Sequence, residues 1–219
     1  MPDLAILTAI FDDYDTLKPA LPQQGVDVEW ICITDGPPHP DAEAAKGWTL
    51  IHEPCQLHPN RAAKRPKLRP WEYTSAAASI WIDASFRVVS NWFAIEALAH
   101  AEPIAQFIHP WRNCLYDEAE ASVLLPKYAG EPIAAQAAYY RARGHPEHWG
   151  LWAAGVIARW HTSDVRQLGA AWAHEVDVWS FQDQISEPFA LRETGLRPVA
   201  LPGTHFVNPW LKYEGSGRH

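Results

Sequence analysis

Short apolar runs that end at polar turn residues recur along the first half of the chain. The first covers residues 4–11 and ends at an acidic turn, and the second covers residues 28–33 and ends at a turn over residues 34–38. Apolar runs of this length between turn signals are typical of buried strands. The pattern also predicts a weaker strand at 48–52 and strands at 79–82, 104–108 and 150–160, the last also compatible with a helix.

Helical spacing is clearest after Ser163, which is expected to cap the helix. The apolar stripe of that helix consists of Val165, Leu168, Trp172, Val176 and Trp179. Further helices are predicted at residues 115–125 and 133–143 and, in part, at 61–73. Strands that alternate with helices predict an α/β fold with a mostly parallel central sheet flanked by helices. Ligands of such sheets bind beyond the carboxyl ends of the strands, so the loops after residues 11, 33 and 82 are the first candidates for a site.

The composition indicates one acidic globular domain. The chain has 219 residues, of which 47% are hydrophobic, and a formal net charge of −8. Its longest apolar run, residues 151–158, is far shorter than the ~18 residues of a membrane span. The N-terminus lacks the basic segment of a signal peptide. We expect a single domain over residues 1–213 and a flexible tail over 214–219.

Charge and cysteine content exclude several classes of function. A net negative chain is not expected to bind nucleic acid generally, because phosphate backbones are held by fields of lysine and arginine. Cys32, Cys55 and Cys114 are an odd number without close pairing, so neither a disulfide scaffold nor a cysteine-based zinc site is indicated. A cytoplasmic location is expected.

A basic cluster stands out in this acidic chain. Five of the 18 cations fall within nine residues, namely Arg61, Lys64, Arg65, Lys67 and Arg69. One interpretation is an anion clamp that holds a diphosphate or a carboxylate. The other is a solvated helix face, which is the commoner origin of a charge run.

An aspartate follows the predicted strand at 79–82. In Trp81-Ile-Asp83-Ala-Ser85 the two-residue spacing turns Asp83 and Ser85 to the same side. Hard divalent ions such as Mg²⁺ or Mn²⁺ prefer such oxygen ligands, with phosphate oxygens completing the shell. The alternative is a turn residue or a helix cap.

Several short motifs occur in the order seen in one known family. The matching stretches are Thr8-Ala-Ile-Phe-Asp-Asp-Tyr-Asp15, Cys32-Ile-Thr-Asp35, Trp81-Ile-Asp83, His109-Pro-Trp-Arg112-Asn-Cys-Leu-Tyr-Asp-Glu118-Ala, Gln136-Ala-Ala-Tyr-Tyr140, Gly150-Leu151, Arg159-Trp-His161 and Asp183-Gln184. Together they resemble a glycosyltransferase-like family known from plant mucilage-related and turgor-regulation proteins, with bacterial relatives. The approach to Asp83 also resembles the segment that leads into the Asp-x-Asp motif of GT-A glycosyltransferases, with Ser85 in place of the second carboxylate.

The resemblance implies a GT-A fold, a nucleotide-sugar donor and a divalent metal, Mn²⁺ or Mg²⁺. It would put Asp35 and Asp83 at the donor, with Asp83 also as a metal ligand. Ser85 stands where the family has its second carboxylate, so the metal is either held by Asp83 with a more distant ligand and water, or absent. The donor residues that it implies around nucleotide and diphosphate are Thr8, Ala9, Ile10, Phe11, Arg61, Lys64 and Lys67. The segment from His205 to Lys212 resembles the one that closes over metal and diphosphate in some GT-A enzymes. His205 would then be a distant metal ligand and Lys212 a partner of the leaving phosphate, although a lone histidine can equally be a hydrogen-bonded structural residue.

Two carboxylates are candidates for catalysis. Asp183 is the first choice, either to deprotonate the attacking hydroxyl or to stabilise an oxocarbenium-like centre, and helix capping is its alternative. Glu118 is preferred over its neighbour Asp117 because of the resemblance. The expected acceptor contacts are His109, Arg112, Trp149 and Gln184.

We therefore expect a glycosyltransferase that moves a sugar from a nucleotide-diphosphate donor to a hydroxyl acceptor, most simply a carbohydrate. One alternative is a metal-dependent hydrolase that uses Asp83, His109, His161 and His205. Another is a non-catalytic carbohydrate-binding module, suggested by the 12 tryptophans and by the missing second carboxylate. A fold alone does not choose among these functions.

Overall fold

A seven-stranded sheet organises the part of the chain that the computed structural model describes, residues 3–36 and 45–215. Among these residues the strands are β1 (Leu4–Ile10), β2 (Val28–Thr34), β3 (Thr49–His52), β4 (Ala78–Ile82), β5 (Phe86–Val88), β6 (Ile104–Ile108), β7 (Trp152–Trp160), β8 (Val199–Ala200) and β9 (Leu211–Tyr213). The sheet has the order β3-β2-β1-β4-β7-β6-β8, and β5 pairs with β9 in a separate two-stranded sheet.

Most neighbouring strands of the large sheet run parallel. β1 pairs in parallel with both β2 and β4, β2 with β3, and β6 with β8. β7 alone is reversed, since it is antiparallel to β4 and to β6. The predicted α/β class with a mostly parallel sheet is confirmed. Because β7 runs backwards, its beginning lies beside the carboxyl end of β4, where Ile82 pairs with Val156.

Six helices surround the sheet within the described residues. They are α1 (Pro59–Leu68), α2 (Phe93–Ala99), α3 (Leu115–Ser122), α4 (Ile133–Ala142), α5 (Ser163–Val178) and α6 (Asp183–Thr194). Two 3₁₀ turns, Pro70–Glu72 and Pro126–Tyr128, follow α1 and α3. None of these helices is long and apolar enough to span a membrane.

Both faces of the sheet are covered, as the alternation along β1 requires. Leu4 and Ile6 belong to one buried cluster, whereas Ala5 and Leu7 belong to another on the opposite face. The second cluster includes Trp172 of α5, which is fully buried. Strands that are buried on both sides read as continuous apolar runs, which explains why they could be recognised from the sequence.

The predicted elements are confirmed except at particular points. The helix cap expected at Ser163 is wrong by one residue, because Thr162 is the N-cap and accepts the Val165 amide at 3.3 Å. The helices α2 and α6 and the short strands β5, β8 and β9 were not predicted. α2 has seven residues, the three strands have two or three residues each, and α6 contains Pro188, a residue that normally interrupts a helix.

Parts of two predicted segments lie outside the described residues. These are residues 37–38 of the turn after β2 and residues 216–219 of the expected tail. Within that tail, Glu214 forms ion pairs with Arg87 and Lys212 at 3.1 and 3.0 Å.

Candidate active site

A cleft of about 200 Å³ opens where the carboxyl ends of β1 and β4 meet the beginning of β7. The helices α1 and α6 border it. Its charged lining residues are Asp15, Lys64, Lys67, Asp83, Lys127 and Asp183, and its aromatic ones are Tyr14, Trp81, Tyr128 and Phe181. The site therefore lies at the edge of the sheet that the α/β pattern predicts for ligands.

A buried ion-pair network lies on the wall of this cleft. Lys67 Nζ is 2.6 Å from Asp183 Oδ2 and 3.5 Å from Asp83 Oδ1. Lys64 Nζ approaches the same Asp183 oxygen at 3.1 Å. Only 3% of the Lys67 side chain is exposed. Breaking a pair with buried Lys67 would leave an uncompensated charge in a poorly solvated place, so the four charged groups depend on one another.

The network sets the charge state of its members. Burial acts to raise the pKa of Asp183, but Lys64 and Lys67 outweigh it and hold that pKa at about 2. Burial likewise acts to lower the pKa of Lys67, and the carboxylates of Asp183 and Asp83 reverse this, so its pKa is raised. The pKa of Lys64 is lowered by burial in spite of Asp183. Asp183 is consequently a carboxylate at neutral pH, and a very weak base.

Asp83 is held in one orientation by its neighbours. Its Oδ1 accepts the indole N–H of Trp81 at 2.6 Å, and its backbone N–H donates to the Gly155 carbonyl at 2.8 Å. Gly155, on the adjacent β7, leaves the room that the carboxylate occupies. A Cβ at this position would lie 3.2 Å from Asp83 Oδ2.

Of the other two predicted metal ligands, Ser85 lines the cleft and His205 is partly buried near it. Burial and the nearby His109 lower the pKa of His205 to about 4, although Asp83 acts in the opposite direction. The ring is therefore neutral at pH 7. Its Nδ1 is buried and has no hydrogen-bond partner among the described residues.

The four residues after Leu7 that were predicted at the nucleotide divide into two pairs. Ala9 and Ile10 line the cleft, whereas Thr8 and Phe11 are buried and do not belong to its lining. Asp35 lies in the loop after β2, and its Oδ1 accepts the Asp12 amide at 3.0 Å. This hydrogen bond ties the loops that follow β1 and β2 together.

The basic cluster has two different roles. Lys64 and Lys67 line the cleft, but Arg61 donates to the carbonyls of Val176 and Trp179 and to Glu131. The remaining two arginines form surface ion pairs, Arg65 with Glu53 and Glu72, and Arg69 with Glu72. The solvated-face interpretation thus holds for Arg65 and Arg69, and the anion clamp stays a prediction for Lys64 and Lys67. Lys212, on β9, is 62% exposed beside Glu214 and does not belong to the cleft lining.

Glu118 does not line the cleft, but it hydrogen-bonds to Gln182, which does. It is buried on α3, where its carboxylate accepts from Arg112 Nε at 2.5 Å and from Gln182 Nε2 at 3.0 Å. His109 Nε2 lies 3.6 Å from the same carboxylate. Gln182 lines the cleft directly before Asp183. The structure brings three predicted residues, His109, Arg112 and Glu118, into one network behind the cleft.

The remaining predicted residues lie at different places. Asp183 is the first residue of α6, and the N-cap is Gln182, so the capping alternative for Asp183 is not realised. Gln184 lines the cleft and donates to the Trp152 carbonyl at 3.1 Å. Trp149 lies outside the cleft lining, with the Arg197 guanidinium 5.2 Å from its ring centroid.

Sequence reasoning missed several residues of the site. Lys127 and Tyr128 reach the cleft from the 3₁₀ turn after α3, and Gln182 from the loop before α6. These segments have neither helical nor strand periodicity, so no local signal marks them. An exposed aromatic pair was also missed: Trp111 is 68% exposed and its ring lies 5.6 Å from that of Phe206, beside His205.

The histidines of the hydrolase alternative are divided between two ends of the sheet. His161 lies beside the beginning of β4, where its ring nitrogens contact Ala76 O at 2.9 Å and Ser79 Oγ at 2.8 Å. Asp83 follows the opposite end of the same strand. The proposed set of Asp83, His109, His161 and His205 therefore cannot surround one metal ion.

Comparisons with known proteins give one family and one fold. The family described as TOD1/MUCI70, glycosyltransferase-like domain, matches residues 48–201, which is more than half of the chain. No curated protein matches significantly. The solved apo structure of the bifunctional glycosyltransferase WbbM is similar, with a TM-score of 0.55 and 11% identity over 92% of this chain and 39% of WbbM. The chain thus spans less than half the length of WbbM, and at this identity the likeness shows the fold alone.

Proposed function

The chain belongs to the TOD1/MUCI70 glycosyltransferase-like family, and on that premise we propose that it transfers a sugar from a nucleotide-diphosphate donor to a hydroxyl acceptor. Family membership confirms the resemblance seen in the sequence. The observation that carries the proposal is the cleft at the carboxyl edge of the sheet, where Lys67 joins Asp83 to Asp183. Nucleotide, diphosphate and sugar would occupy this cleft in that order from β1 towards α6.

The lysines of the cleft are suited to a diphosphate. Lys64 and Lys67 project from α1, and Lys127 approaches from the 3₁₀ turn after α3. Ammonium groups act as point charges for phosphate oxygens, and charge-assisted hydrogen bonds of this kind are about twice as strong as neutral ones. Ala9, Ile10 and the loop of Asp35 would contact the nucleoside.

The residues around Asp83 fit a divalent ion such as Mn²⁺ or Mg²⁺. Asp83 and Ser85 offer oxygen ligands, and His205 offers a neutral ring whose buried Nδ1 has no hydrogen-bond partner within residues 3–36 and 45–215. Oxygen ligands of this kind suit Mg²⁺ and Mn²⁺. When bound, such an ion supplies charge stabilisation for the departing diphosphate.

Asp183 would act as an electrostatic stabiliser of the sugar. A carboxylate with a pKa of about 2 is too weak a base to deprotonate a hydroxyl at neutral pH. It remains charged throughout, as stabilisation of an oxocarbenium-like centre requires. The acceptor oxygen bonds to the anomeric carbon of the sugar as the bond between that carbon and the diphosphate breaks. The electron pair of the broken bond passes to the diphosphate oxygen, which can accept the proton that the acceptor hydroxyl loses.

The acceptor would approach from the side of α3 and the 203–210 loop. On that side His109 and Arg112 contact the buried carboxylate of Glu118, and Gln184 lines the cleft. The exposed rings of Trp111 and Phe206 suit a carbohydrate acceptor, because apolar faces with a few polar groups are typical of small-molecule sites. The cytoplasmic location stays a prediction, supported by three free cysteines.

Thermal unfolding with nucleotides tests the proposal. The full chain is heated with UDP, GDP, CMP and their sugar conjugates, with and without Mn²⁺, beside Asp83→Ala and the exposed control Asp164→Ala. A ligand at about 100 Kd adds ~2.7 kcal/mol of stability. We expect one nucleotide to raise Tm only with the metal, in the wild type and Asp164→Ala but not in Asp83→Ala.

Other outcomes assign other functions. Absence of any nucleotide effect on the folded wild type contradicts the transferase proposal. Sugar binding without nucleotide that survives in Asp83→Ala indicates a binding module, and nucleotide-independent hydrolysis of glycosides indicates a hydrolase.

A further inference from the structure

Three metal-ligating side chains meet outside the cleft. Cys114 Sγ, an Asp117 carboxylate oxygen and a ring nitrogen of His148 all lie within 4.8 Å of one another. Cys114 and Asp117 belong to the start of α3, and His148 belongs to the loop between α4 and β7. Because His148 is 34 residues beyond Cys114 in the sequence, no ligand spacing marks this group, and only the fold assembles it.

One nitrogen of the His148 ring is held by a hydrogen bond. Its Nδ1 is 2.7 Å from the Asn113 Oδ1, which can only accept, so Nδ1 carries the hydrogen. The other ring nitrogen, Nε2, is left with its lone pair. Metal-binding histidines generally use one nitrogen for the metal and donate the other N–H to an oxygen in this way.

The backbone of His148 adopts a left-handed conformation. Its φ is +53°, a left-handed conformation that costs a residue with a Cβ about 1 kcal/mol and that clusters at functional sites. The strained loop is fixed to the Cys114 segment at one further point, where the Gly150 amide donates to the Asn113 carbonyl at 3.1 Å.

Cys114 supplies the sulfur ligand of this group. Cys114 is the N-cap residue of α3 and only 2% exposed. Asp117 and His148 are exposed and can move towards the sulfur. In a tetrahedral zinc site with Zn–S of about 2.3 Å and Zn–N of about 2.0 Å the ligand atoms are roughly 3.5 Å apart, so a contraction of about 1 Å suffices.

We propose that Cys114, Asp117 and His148 bind a thiophilic divalent cation, Zn²⁺ in particular, which joins the start of α3 to the loop before β7. Thiolate ligands select such an ion, whereas the oxygen ligands around Asp83 suit Mg²⁺ or Mn²⁺. The bound ion would stabilise α3, which holds Glu118 and, through it, Gln182 at the cleft. This site does not depend on the proposed transferase activity.

Zinc binding by the untagged full chain tests the proposal without any nucleotide. After removal of metals, the protein is titrated with ZnCl₂ and, separately, with CoCl₂, whose thiolate complexes show a charge-transfer absorption band. The variants are Cys114→Ser and His148→Asn; asparagine tolerates the left-handed backbone but is a poor zinc ligand. The matched control is Cys55→Ser, which removes another free cysteine.

We expect one equivalent of zinc, a cobalt–thiolate band and a rise in Tm with zinc in the wild type and in Cys55→Ser. Cys114→Ser should lose the band, and His148→Asn should bind zinc at least 10-fold more weakly, consistent with the loss of one ligand. If the folded wild type binds no zinc, or if both variants bind it as the control does, the proposal is overturned. His148→Asn changes an exposed side chain, so it remains informative even if Cys114→Ser does not fold.

Discussion

Lys67 Nζ of α1 lies 2.6 Å from Asp183 Oδ2 at the first turn of α6, and both side chains are almost completely buried. This ion pair joins α1 to α6 across the cleft. A second carboxylate, Asp83, lies 3.5 Å from the same Lys67 ammonium group. These charged groups would bind the donor, and they also have to neutralise one another for the folded chain to be stable.

Asp183→Asn is expected to lower the free energy of unfolding by about 3 kcal/mol at pH 7, because it leaves buried Lys67 with Asp83 as its remaining carboxylate partner. The pKa of Asp183, about 2, lies below its ordinary value of 3.8. Its contribution, about 2 kcal/mol, is therefore complete above pH 4 and is lost as the pH falls to 2.

Urea unfolding from pH 2 to pH 7 measures this difference. The difference in the free energy of unfolding between wild type and Asp183→Asn should become smaller as the pH falls. The exposed control Asp27→Asn should have the same free energy of unfolding as the wild type at every pH. A gap that is independent of pH would show that the charge of Asp183 is not what stabilises the fold.

The contribution of Glu187 to the free energy of unfolding is expected to depend on pH in the opposite direction. This residue is fully buried one helical turn after Asp183. Burial raises its pKa to about 8, and the Asp183 carboxylate adds to the shift, while Gln106, Lys67 and Arg159 offset it only in part. The folded chain therefore keeps a proton that the unfolded chain releases near pH 4.5.

Wild-type stability should accordingly carry a penalty from Glu187 that grows by about 1.4 kcal/mol per pH unit between pH 4.5 and 8. Glu187→Gln removes the titrating group, so the variant is expected to gain stability relative to the wild type as the pH rises. The exposed Glu193→Gln on the same helix is the control. A constant difference between Glu187→Gln and wild type from pH 5 to pH 8 would contradict this prediction.

Gly155→Ala tests the room that Asp83 needs. The added Cβ would lie 3.2 Å from Asp83 Oδ2 and 3.1 Å from the Phe86 ring, so the carboxylate has to shift by a few tenths of an ångström. We expect the affinity for the metal–nucleotide ligand to fall about 10-fold, which corresponds to about 1.4 kcal/mol. The free energy of unfolding should change by less than this amount.

Isothermal titration and urea unfolding separate the two effects. Asp164→Ala is the control, because this side chain is exposed and does not belong to the cleft lining. Unchanged ligand affinity in Gly155→Ala would show that the Asp83 carboxylate is not a ligand.

Gly169→Ala tests the close approach of α5 to α1. A Cβ on Gly169 would overlap the Leu68 carbonyl and the Trp71 ring. Overpacking of this kind costs about 1–3 kcal/mol, whereas alanine gains at most about 1 kcal/mol in helix propensity. We expect a net loss of about 1 kcal/mol or more in urea unfolding, because the clash is with backbone next to Lys67. The control is the exposed Gln167→Ala, which should change the free energy of unfolding by less than about 0.5 kcal/mol. If Gly169→Ala is more stable than the wild type, the close contact between α5 and α1 is refuted.

The sequence by itself determined the sheet and the region of the site. Strands buried on both faces appear as continuous apolar runs, so β1, β2, β4 and β6 could be recognised locally, and the position of Asp83 at the end of β4 followed from them. Asp183, Lys64 and Lys67 were also predicted at the site, because their motifs lie next to readable elements. All three line the same cleft, and their roles stay predictions.

Only the tertiary structure decided which charges meet. Arg61 and Lys64 are one helical turn apart, yet one binds backbone carbonyls at the end of α5 and the other faces Asp183. The same holds for Cys114 and His148, which are brought together across two helices. Local sequence determines secondary structure through short-range sterics and burial periodicity, whereas the pairing of distant charges depends on how helices are oriented against the sheet, and no spacing in the sequence records that orientation.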